Sequence, residues 1–270
     1  MHMTSPPALK DATLEIDGRI AVLTFNRDDV RNALTSTDLV SDIPEAIAWC
    51  NATIEVSVLI MTGAGSAFSA GGNIKTMGQR AKGPPHELQQ AYRRGIQRIP
   101  LALEQAEIPV IAAVNGPAIG AGFDMANMCD IRIGSTNAQF GETFVNLGII
   151  PGDGGAWFLT RLVGYQRAAE LTLTGRIVKA EEAHALGLLL EVTAPDALLP
   201  RAKEIAAKMA AKPPQALRYA KRLLKLAQRQ NLEEHLDICS AFQAICHKTE
   251  DHQEALSAFF EKRRGEFKGK

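Results

Sequence analysis

Residues 110–124 read VIAAVNGPAIGAGFD. The first five residues are apolar and mostly β-branched, which is typical of a buried strand, and the glycine-rich turn after them leads into a helix predicted to begin near Phe123. Small residues in such a turn let another chemical group approach the backbone closely. The first N–H groups of a helix have no partner within it and lie at the positive end of its dipole. The junction therefore predicts a site for negative charge, followed by the carboxylate of Asp124.

A second glycine-rich turn, FSAGGNIK at residues 68–75, follows another predicted buried strand at residues 56–61. Two N–H donors from separate strand-to-loop junctions are what an oxyanion hole requires. Tight turns with left-handed glycines explain most loops of this composition. Each turn alone therefore does not indicate a function, whereas the two together indicate an oxyanion hole.

Composition excludes several classes of protein. A chain of 270 residues predicts one core with an appendage. Thirty basic and thirty acidic residues cancel, which argues against nucleic-acid binding and against a membrane-seeking surface. The four cysteines form no CxxC pair and show no metal-ligand spacing, so we expect reduced thiols and no metal site.

The sequence shows no membrane or secretion signal. Residues 1–7 lack a cationic segment followed by an apolar one. The apolar stretch 110–133 is interrupted by Asn115, Pro117, Asp124 and Asp130, which are costly in lipid. We therefore expect a soluble, cytoplasmic protein.

The pattern along the chain predicts strands and helices first and helices alone last. A hairpin turns at Asp17-Gly18-Arg19, and a helix begins near Thr35 or Ser36, where Pro44 should kink or split it. Residues 77–100 are either a mobile flap, with a helix from Glu87 to Ile99, or an ordinary exposed connection. After residue 199 strand signals disappear. This order predicts an α/β core over residues 1–199 and a helical region over residues 200–270.

The chain resembles the crotonase superfamily, the enoyl-CoA hydratase/isomerase-like proteins. The resemblance covers nearly the whole chain in the family's order, at residues 32–34, 67–75, 109–124, 129–132, 140–141, 147–152, 161–164, 173–175 and 259–263. It implies a spiral of ββα units and a helical region that forms a trimer, or a hexamer of two trimers. It also implies an acyl-CoA substrate, so that coenzyme A belongs to the substrate and no separate cofactor is expected.

The resemblance assigns binding roles by position. The N–H groups of Gly72 and Ala121 would hold the thioester oxygen while an enolate forms. Other positions would line the substrate path: Val30, Arg31, Ala33, Ala70, Asn73, Ile74, Lys75, Gly120, Phe144, Gly152, Phe259 and Lys262. Arg31 and Lys75 either pair with CoA phosphates or are ordinary exposed cations. Phe259 and Lys262 either reach the CoA of a neighbouring subunit or belong to a solvated helix face.

The catalytic positions depart from the family pattern. Hydratases of this superfamily use two glutamates, and their positions fall at Asp124 and Phe144 here. Asp124 keeps a carboxylate, although it is shorter by one methylene, and burial would raise its pKa. Alternatively, it accepts a backbone N–H near the helix start. Phe144 can neither activate water nor donate a proton.

Asp153 is the predicted replacement for the missing acid. Some relatives carry a functional aspartate in this loop, but theirs matches Gly152, one residue earlier. The alternative is a helix N-cap, because Asp153 precedes a predicted helix from Gly154 to Val163. Glu142 and His86 are further acid–base candidates, although residues of both types are more often at the surface.

The resemblance leaves three functions to compare. The first is an acyl-CoA enzyme of hydratase/isomerase type that uses Asp124 and Asp153. The second is another enolate reaction, such as decarboxylation, thioester hydrolysis or ring isomerisation, which the apolar Phe144 would suit. The third is a catalytically degenerate acyl-CoA binder.

Overall fold

A computed structural model describes residues 5–80 and 82–270. Within these residues the chain forms nine strands. They are β1 Ala12–Asp17, β2 Ile20–Phe25, β3 Val58–Gly63, β4 Val110–Val114, β5 Pro117–Ile119, β6 Ile131–Ser135, β7 Gln139–Gly141, β8 Ile177–Lys179 and β9 Glu191–Thr193.

The same residues form twelve α-helices. They are α1 Leu39–Ala52, α2 Ile74–Arg80, α3 Pro85–Arg94, α4 Arg98–Glu104, α5 Ala121–Met128, α6 Gly155–Val163, α7 Tyr165–Thr174, α8 Ala180–Ala185, α9 Leu198–Ala210, α10 Pro214–Leu226, α11 Leu232–His247 and α12 Glu250–Glu261. The predicted order of strands and helices first and helices last is confirmed. None of these helices is both long enough and apolar enough to cross a lipid bilayer.

The strands form two sheets. The larger sheet has the order β1-β2-β3-β4-β6-β9, in which the β1–β2 hairpin is antiparallel and every later pairing is parallel. The smaller sheet has the order β5-β7-β8. Its β5–β7 pair aligns Ile119 with Gly141. This pairing brings the segment after β7 beside the start of α5.

Apolar side chains bury both faces of the larger sheet, which is why its central strands are continuous apolar runs. On one face, Met61 and Ala112 join the main core together with α1 and α5. On the other face, Ile60 and Ile111 pack against α9. Neighbouring residues of one strand thus serve opposite cores, as the two-residue period of a strand requires.

Three helix predictions differ from the structure. The first helix begins at Leu39, because Ser36 has a left-handed φ of 66° that helix geometry does not allow. Pro44 does not split α1, whose buried side chains on both sides of the proline pack into the core. The predicted helix from Glu87 to Ile99 is two helices, separated at Gly95, whose φ of −106° and ψ of −114° are not helical.

The C-terminal helices attach to the core through buried cations. Helix α9 begins at Leu198 and covers one face of the larger sheet. Arg218 of α10 donates hydrogen bonds to the carbonyl oxygens of Cys50, Asn51 and Thr53 at the end of α1. The division at residue 199 into a core and an oligomerisation region remains a prediction.

Candidate active site

The two glycine-rich turns lie side by side. The N–H of Ser69 donates to the carbonyl of Pro117 at 3.1 Å, and the N–H of Ile119 donates to the carbonyl of Ser69 at 3.0 Å. These bonds form a short parallel bridge between Ser69 and Ala118. The turn after β3 is therefore fixed against the junction between β5 and α5.

Glycine is required where the two turns touch. Gly71 has a left-handed φ of 76°, and a Cβ there would overlap the carbonyl oxygen of Ile119 and lie 3.0 Å from the amide nitrogen of Ala121. A Cβ at Gly122 would likewise overlap the carbonyl of Ser69. The glycines thus place Gly72 and Ala121, the two predicted oxyanion-hole residues, on adjacent turns.

The N–H groups of Gly72 and Ala121 donate to no acceptor among residues 5–80 and 82–270. Their neighbours' N–H groups are occupied: that of Asn73 donates to Thr35 Oγ1 at 2.7 Å, and that of Gly120 donates to the carbonyl of Gly141 at 2.8 Å. Ala121 is the first residue of α5, where an N–H has no intrahelical partner. Both predicted donors thus remain available to a ligand.

Three carboxyl groups meet beside this junction. Asp124 belongs to the first turn of α5, Glu142 directly follows β7, and Asp153 lies in the loop before α6. Asp124 and Glu142 are 0% exposed and Asp153 is 4% exposed. The Asp124 carboxyl interacts electrostatically with both of the others. Sequence reasoning had named all three as acid–base candidates, with Glu142 as a weaker one than Asp124 and Asp153.

Like charges that lie close together in a buried site favour a proton on one of the carboxyls. Neither oxygen of Asp124 has a partner among the described N–H and O–H donors, so no backbone group at the helix start binds it. Burial is the main cause that raises the pKa of Asp124 well above its usual value, followed by the negative charges of Asp153 and Glu142. This direction favours the protonated form of Asp124.

The outer two carboxyls titrate differently. Burial raises the pKa of Glu142 to about 7, although its interaction with Asp124 opposes the rise. Burial also raises the pKa of Asp153, and the interaction with Asp124 opposes this rise as well. Such coupled groups lose their protons as a set. The set combines a protonated acid with a neighbouring acceptor close to neutral pH.

Asp153 is not a helix cap. Helix α6 begins at Gly155, its N-cap residue is Gly154 with a φ of 101°, and no side chain caps it. The N-cap alternative for Asp153 is therefore wrong. Its side chain turns into the carboxyl cluster instead, and its Oδ1 has no hydrogen-bond donor among the described residues.

Of the two weaker acid–base candidates, Glu142 joins the carboxyl cluster and His86 does not. Glu142 is of a residue type more often found at the surface, but it is buried here, because the β5–β7 pairing carries it into the interior beside Gly120. No periodicity or spacing in the sequence indicated this. His86 lies exposed in the first turn of α3 and does not join the carboxyl cluster.

Phe144 occupies the position where the family pattern has its second glutamate, and it packs over the turn at Gly120. Its ring lies 3.5 Å from the position that a Cβ of Gly120 would occupy. The side chain is half-buried and contacts the main core. It therefore forms an apolar wall beside the turn that carries the Ala121 amide.

A groove of about 600 Å³ lies next to Gly152, between α3 and the loop before α6. Gln97 Nε2 donates to the carbonyl of Gly152 at 2.7 Å, and the Tyr92 ring lies against the Gly152 Cα. The lining combines aliphatic and polar side chains, from Gln89, Tyr92, Arg93, Gln97, Ile149 and Ile150. Helix α3, part of the predicted flap, thus forms one wall of the groove. Motion of this segment remains a prediction.

Most of the residues predicted to line the CoA path come together. The N–H of Ala70 donates to the carbonyl of Arg31 at 2.8 Å, which joins the segments 30–33 and 70–75. Arg31 and Lys75 are exposed, and neither forms an ion pair within the described parts of the chain. Phe259 and Lys262 are exposed at the end of α12, and their binding role remains a prediction.

No group of three or more histidine, cysteine, aspartate or glutamate side chains suited to a metal ion occurs among the described residues. The site thus combines two free amides with a cluster of buried carboxyls, and the groove reaches the loop that carries Asp153 at Gly152.

Known proteins share this sequence and fold. A family model described as enoyl-CoA hydratase/isomerase matches residues 15–270. The short-chain-enoyl-CoA hydratase of Clostridium acetobutylicum is 39% identical over 95% of this chain and 97% of its own length. The crotonyl-CoA hydratase of Syntrophomonas wolfei is 36% identical over 96% of this chain and 98% of its own length.

Solved structures agree with these sequence matches. The enoyl-CoA hydratase of Bacillus anthracis superimposes with a TM-score of 0.88 at 34% identity, and the match covers 97% of this chain and all of that one. An enoyl-CoA hydratase subunit from Geobacillus kaustophilus gives 0.85 at 34% identity, over 97% of this chain and 99% of the other. The chain therefore has the crotonase fold and belongs to the enoyl-CoA hydratase/isomerase family, as an acyl-CoA enzyme of that type.

Proposed function

We propose that this protein hydrates the double bond of an enoyl-CoA thioester, with Asp124 as the general acid and Asp153 as the general base. The observation that carries the proposal is the buried Asp124 carboxyl, whose pKa is raised by burial and by the neighbouring acids, beside two free backbone amides. Relatives named as hydratases at 36–39% identity support the reaction type.

The proposed step moves two protons. Ionised Asp153 takes a proton from water as the water oxygen bonds to the β-carbon, and the electron pair of the double bond moves onto the thioester oxygen. Asp124 then donates its proton to the α-carbon, and the carbonyl forms again. Asp153, which acts electrostatically on Asp124, would then return the proton to Asp124 for the next cycle.

The Gly72 and Ala121 amides would stabilise the charge that develops on the thioester oxygen. One preorganised donor of this kind contributes roughly 3–4 kcal/mol to the transition state in comparable sites. Backbone groups impose no requirement on the side chain, so Ala121 serves as well as glycine. The two contacts account for much of the expected acceleration.

Asp153 would supply the function that Phe144 lacks. The Asp124 side chain is shorter than glutamate by one methylene, about 1.5 Å of reach. The second acid enters from the loop before α6 instead of from residue 144. The Phe144 ring then shapes the turn, while the groove beside Gly152 would accept the acyl group and the exposed Arg31 and Lys75 would meet the CoA phosphates.

The C-terminal helices support a homotrimer, or a hexamer of two trimers. Leu224, Leu232, Phe259 and Phe260 are exposed on α10–α12, and a folded monomer seldom leaves so many large apolar side chains in water. Light scattering coupled to size exclusion distinguishes monomer, trimer and hexamer. We further propose that the protein acts in the cytoplasm without a cofactor other than the coenzyme A of its substrate.

The acid–base roles are tested by comparing Asp124→Asn and Asp153→Asn with the wild type on crotonyl-CoA. We expect each variant to lose roughly 10²–10⁴-fold in kcat, the range of one positioned acid or base. Asp196→Asn, at an exposed turn, is the matched control and should keep full activity. Unchanged rates in both site variants would remove these side chains from the mechanism.

Isomerisation of a 3-enoyl-CoA is the second candidate, because the Phe144 wall suits a step from which water is kept out. It needs the same enolate and the same acid. Both substrates are therefore offered to each variant. Turnover of the 3-enoyl-CoA alone would replace hydration by isomerisation and keep Asp124 in its role.

A further inference from the structure

Glu142 is a buried carboxyl with no structural task. It is 0% exposed, and neither of its oxygens has an N–H or O–H donor among the described residues. It is the N-cap residue of the 3-10 turn Thr143–Leu147, yet its side chain does not cap that turn. A carboxyl buried without a cation or a donor costs folding free energy, so its presence calls for another explanation.

The fold aims Glu142 at Asp124. The β5–β7 pairing aligns Ile119 with Gly141, and the Gly120 N–H donates to the Gly141 carbonyl at 2.8 Å. Glu142 therefore stands beside the start of α5, where its side chain meets that of Asp124. The titratable groups that act on Glu142 are Asp124 from α5 and Asp153 from the loop before α6.

We infer that Glu142 is a positioning residue, which keeps the Asp124 carboxyl protonated by holding negative charge against it in the closed interior. The inference rests on the proposed function, because it gives Asp124 the acid role. Glu142 itself need not touch the substrate. Asp153 also acts on Asp124, so two neighbouring acids oppose its ionisation.

The physical reason is repulsion between like charges in a medium that screens them poorly. Ionisation of Asp124 would place a negative charge next to Glu142 and Asp153 at once. The pKa of Glu142 is about 7, so Glu142 carries a negative charge above neutral pH. An ordinary aspartate has already lost its proton at that pH. Removal of that charge should let Asp124 ionise at lower pH.

The pH dependence of kcat tests this inference. Glu142→Gln should move the alkaline limb of the profile down by at least about one pH unit and leave the KM for the thioester within about twofold. Glu142→Asp, which keeps the charge, should restore part of the lost range. Glu45→Gln, an exposed change of the same kind on α1, should leave the profile unmoved. A Glu142→Gln profile identical to that of the wild type would overturn the inference.

A second measurement needs no turnover. In protein with ¹³C-labelled aspartate carboxyls, the Asp124 signal is the buried one that Asp124→Asn removes. We expect this carboxyl to keep its proton above neutral pH in the wild type and to lose it at lower pH in Glu142→Gln. Ionisation of Asp124 at the same pH in both proteins would overturn the inference, even if the enzyme hydrates its substrate. The expected titration without activity on any enoyl-CoA would support the inference and refute the proposed reaction.

If Glu142→Gln fails to fold, the same titration on Glu142→Asp decides. Its carboxyl is drawn back by one methylene, so we expect Asp124 to lose its proton at a pH lower than in the wild type. An unmoved titration in this variant would overturn the inference as well.

Discussion

The Cα of Gly155 lies directly against the carboxylate of Asp124, so a side chain at residue 155 would overlap the carboxylate oxygens. Gly155 is the first residue of α6, and the positive end of that helix thus faces the acid. The favourable helix field does not offset burial and the two neighbouring acids, because the pKa of Asp124 is still raised. The contact makes Gly155 a determinant of where the acid points.

Gly155→Ala should displace the Asp124 carboxyl and lower kcat by roughly 10²-fold or more, because a misplaced acid loses most of its effect. Crotonyl-CoA hydration measures the loss. Gly78→Ala on α2 is the control for thermal stability, since a Cβ there meets nothing within 4 Å. Wild-type activity in Gly155→Ala would show that the position of Asp124 does not matter.

Gly71→Ala should damage the oxyanion hole in a different way. The added methyl group would enter the space beside the Ala121 amide and strain a left-handed residue. We expect a loss of roughly 10²–10³-fold in kcat, comparable to removal of one oxyanion donor. Circular dichroism checks the fold of the variant. Full activity in a folded Gly71→Ala protein would exclude this turn from the site.

Stability should depend on pH through Glu142. An acid whose pKa is higher in the folded state than in the unfolded state binds more protons when folded, so stability falls as pH rises between the two values. For Glu142 that window runs from 4.5 to about 7. Glu142→Gln should therefore melt above the wild type at pH 8, by about 2–6 °C, and lose this advantage near pH 4. An equal difference at both pH values would contradict the assigned shift.

Arg218→Met should destabilise the attachment of α10 by about 2–4 kcal/mol, because three carbonyls at the end of α1 lose a buried charged donor. Urea unfolding measures the change. Lys208→Met, at an exposed position of α9, is the control and should change stability by less than about 0.5 kcal/mol. A near-neutral Arg218→Met variant would show that apolar packing alone holds α10.

The long buried strands and the amphipathic helices could be predicted because their apolar patterns are local. β3 and β4 are runs buried on both faces, so composition marks them. β5, β7 and β8 have three residues each, too few for any period to show. Their place in the smaller sheet depends on partners far away in sequence, and no prediction included them.

The candidate site, like the fold, could be predicted only in part. The two glycine-rich turns were expected to provide the amides, and the structure brings them side by side at Gly71 and Ala121. Glu142 could not be assigned, because its burial follows from the pairing of two short strands. The sequence left two roles open for Asp153, a helix N-cap and a catalytic acid. The start of α6 at Gly155 excluded the N-cap role.

A crystal structure with acetoacetyl-CoA, a thioester that has no double bond to hydrate, tests the oxyanion site most directly. The thioester oxygen should lie about 2.7–3.2 Å from the amide nitrogens of both Gly72 and Ala121, with the Asp124 carboxyl facing the α-carbon. A thioester oxygen bound away from both amides, or an α-carbon out of reach of Asp124, would contradict the proposed reaction.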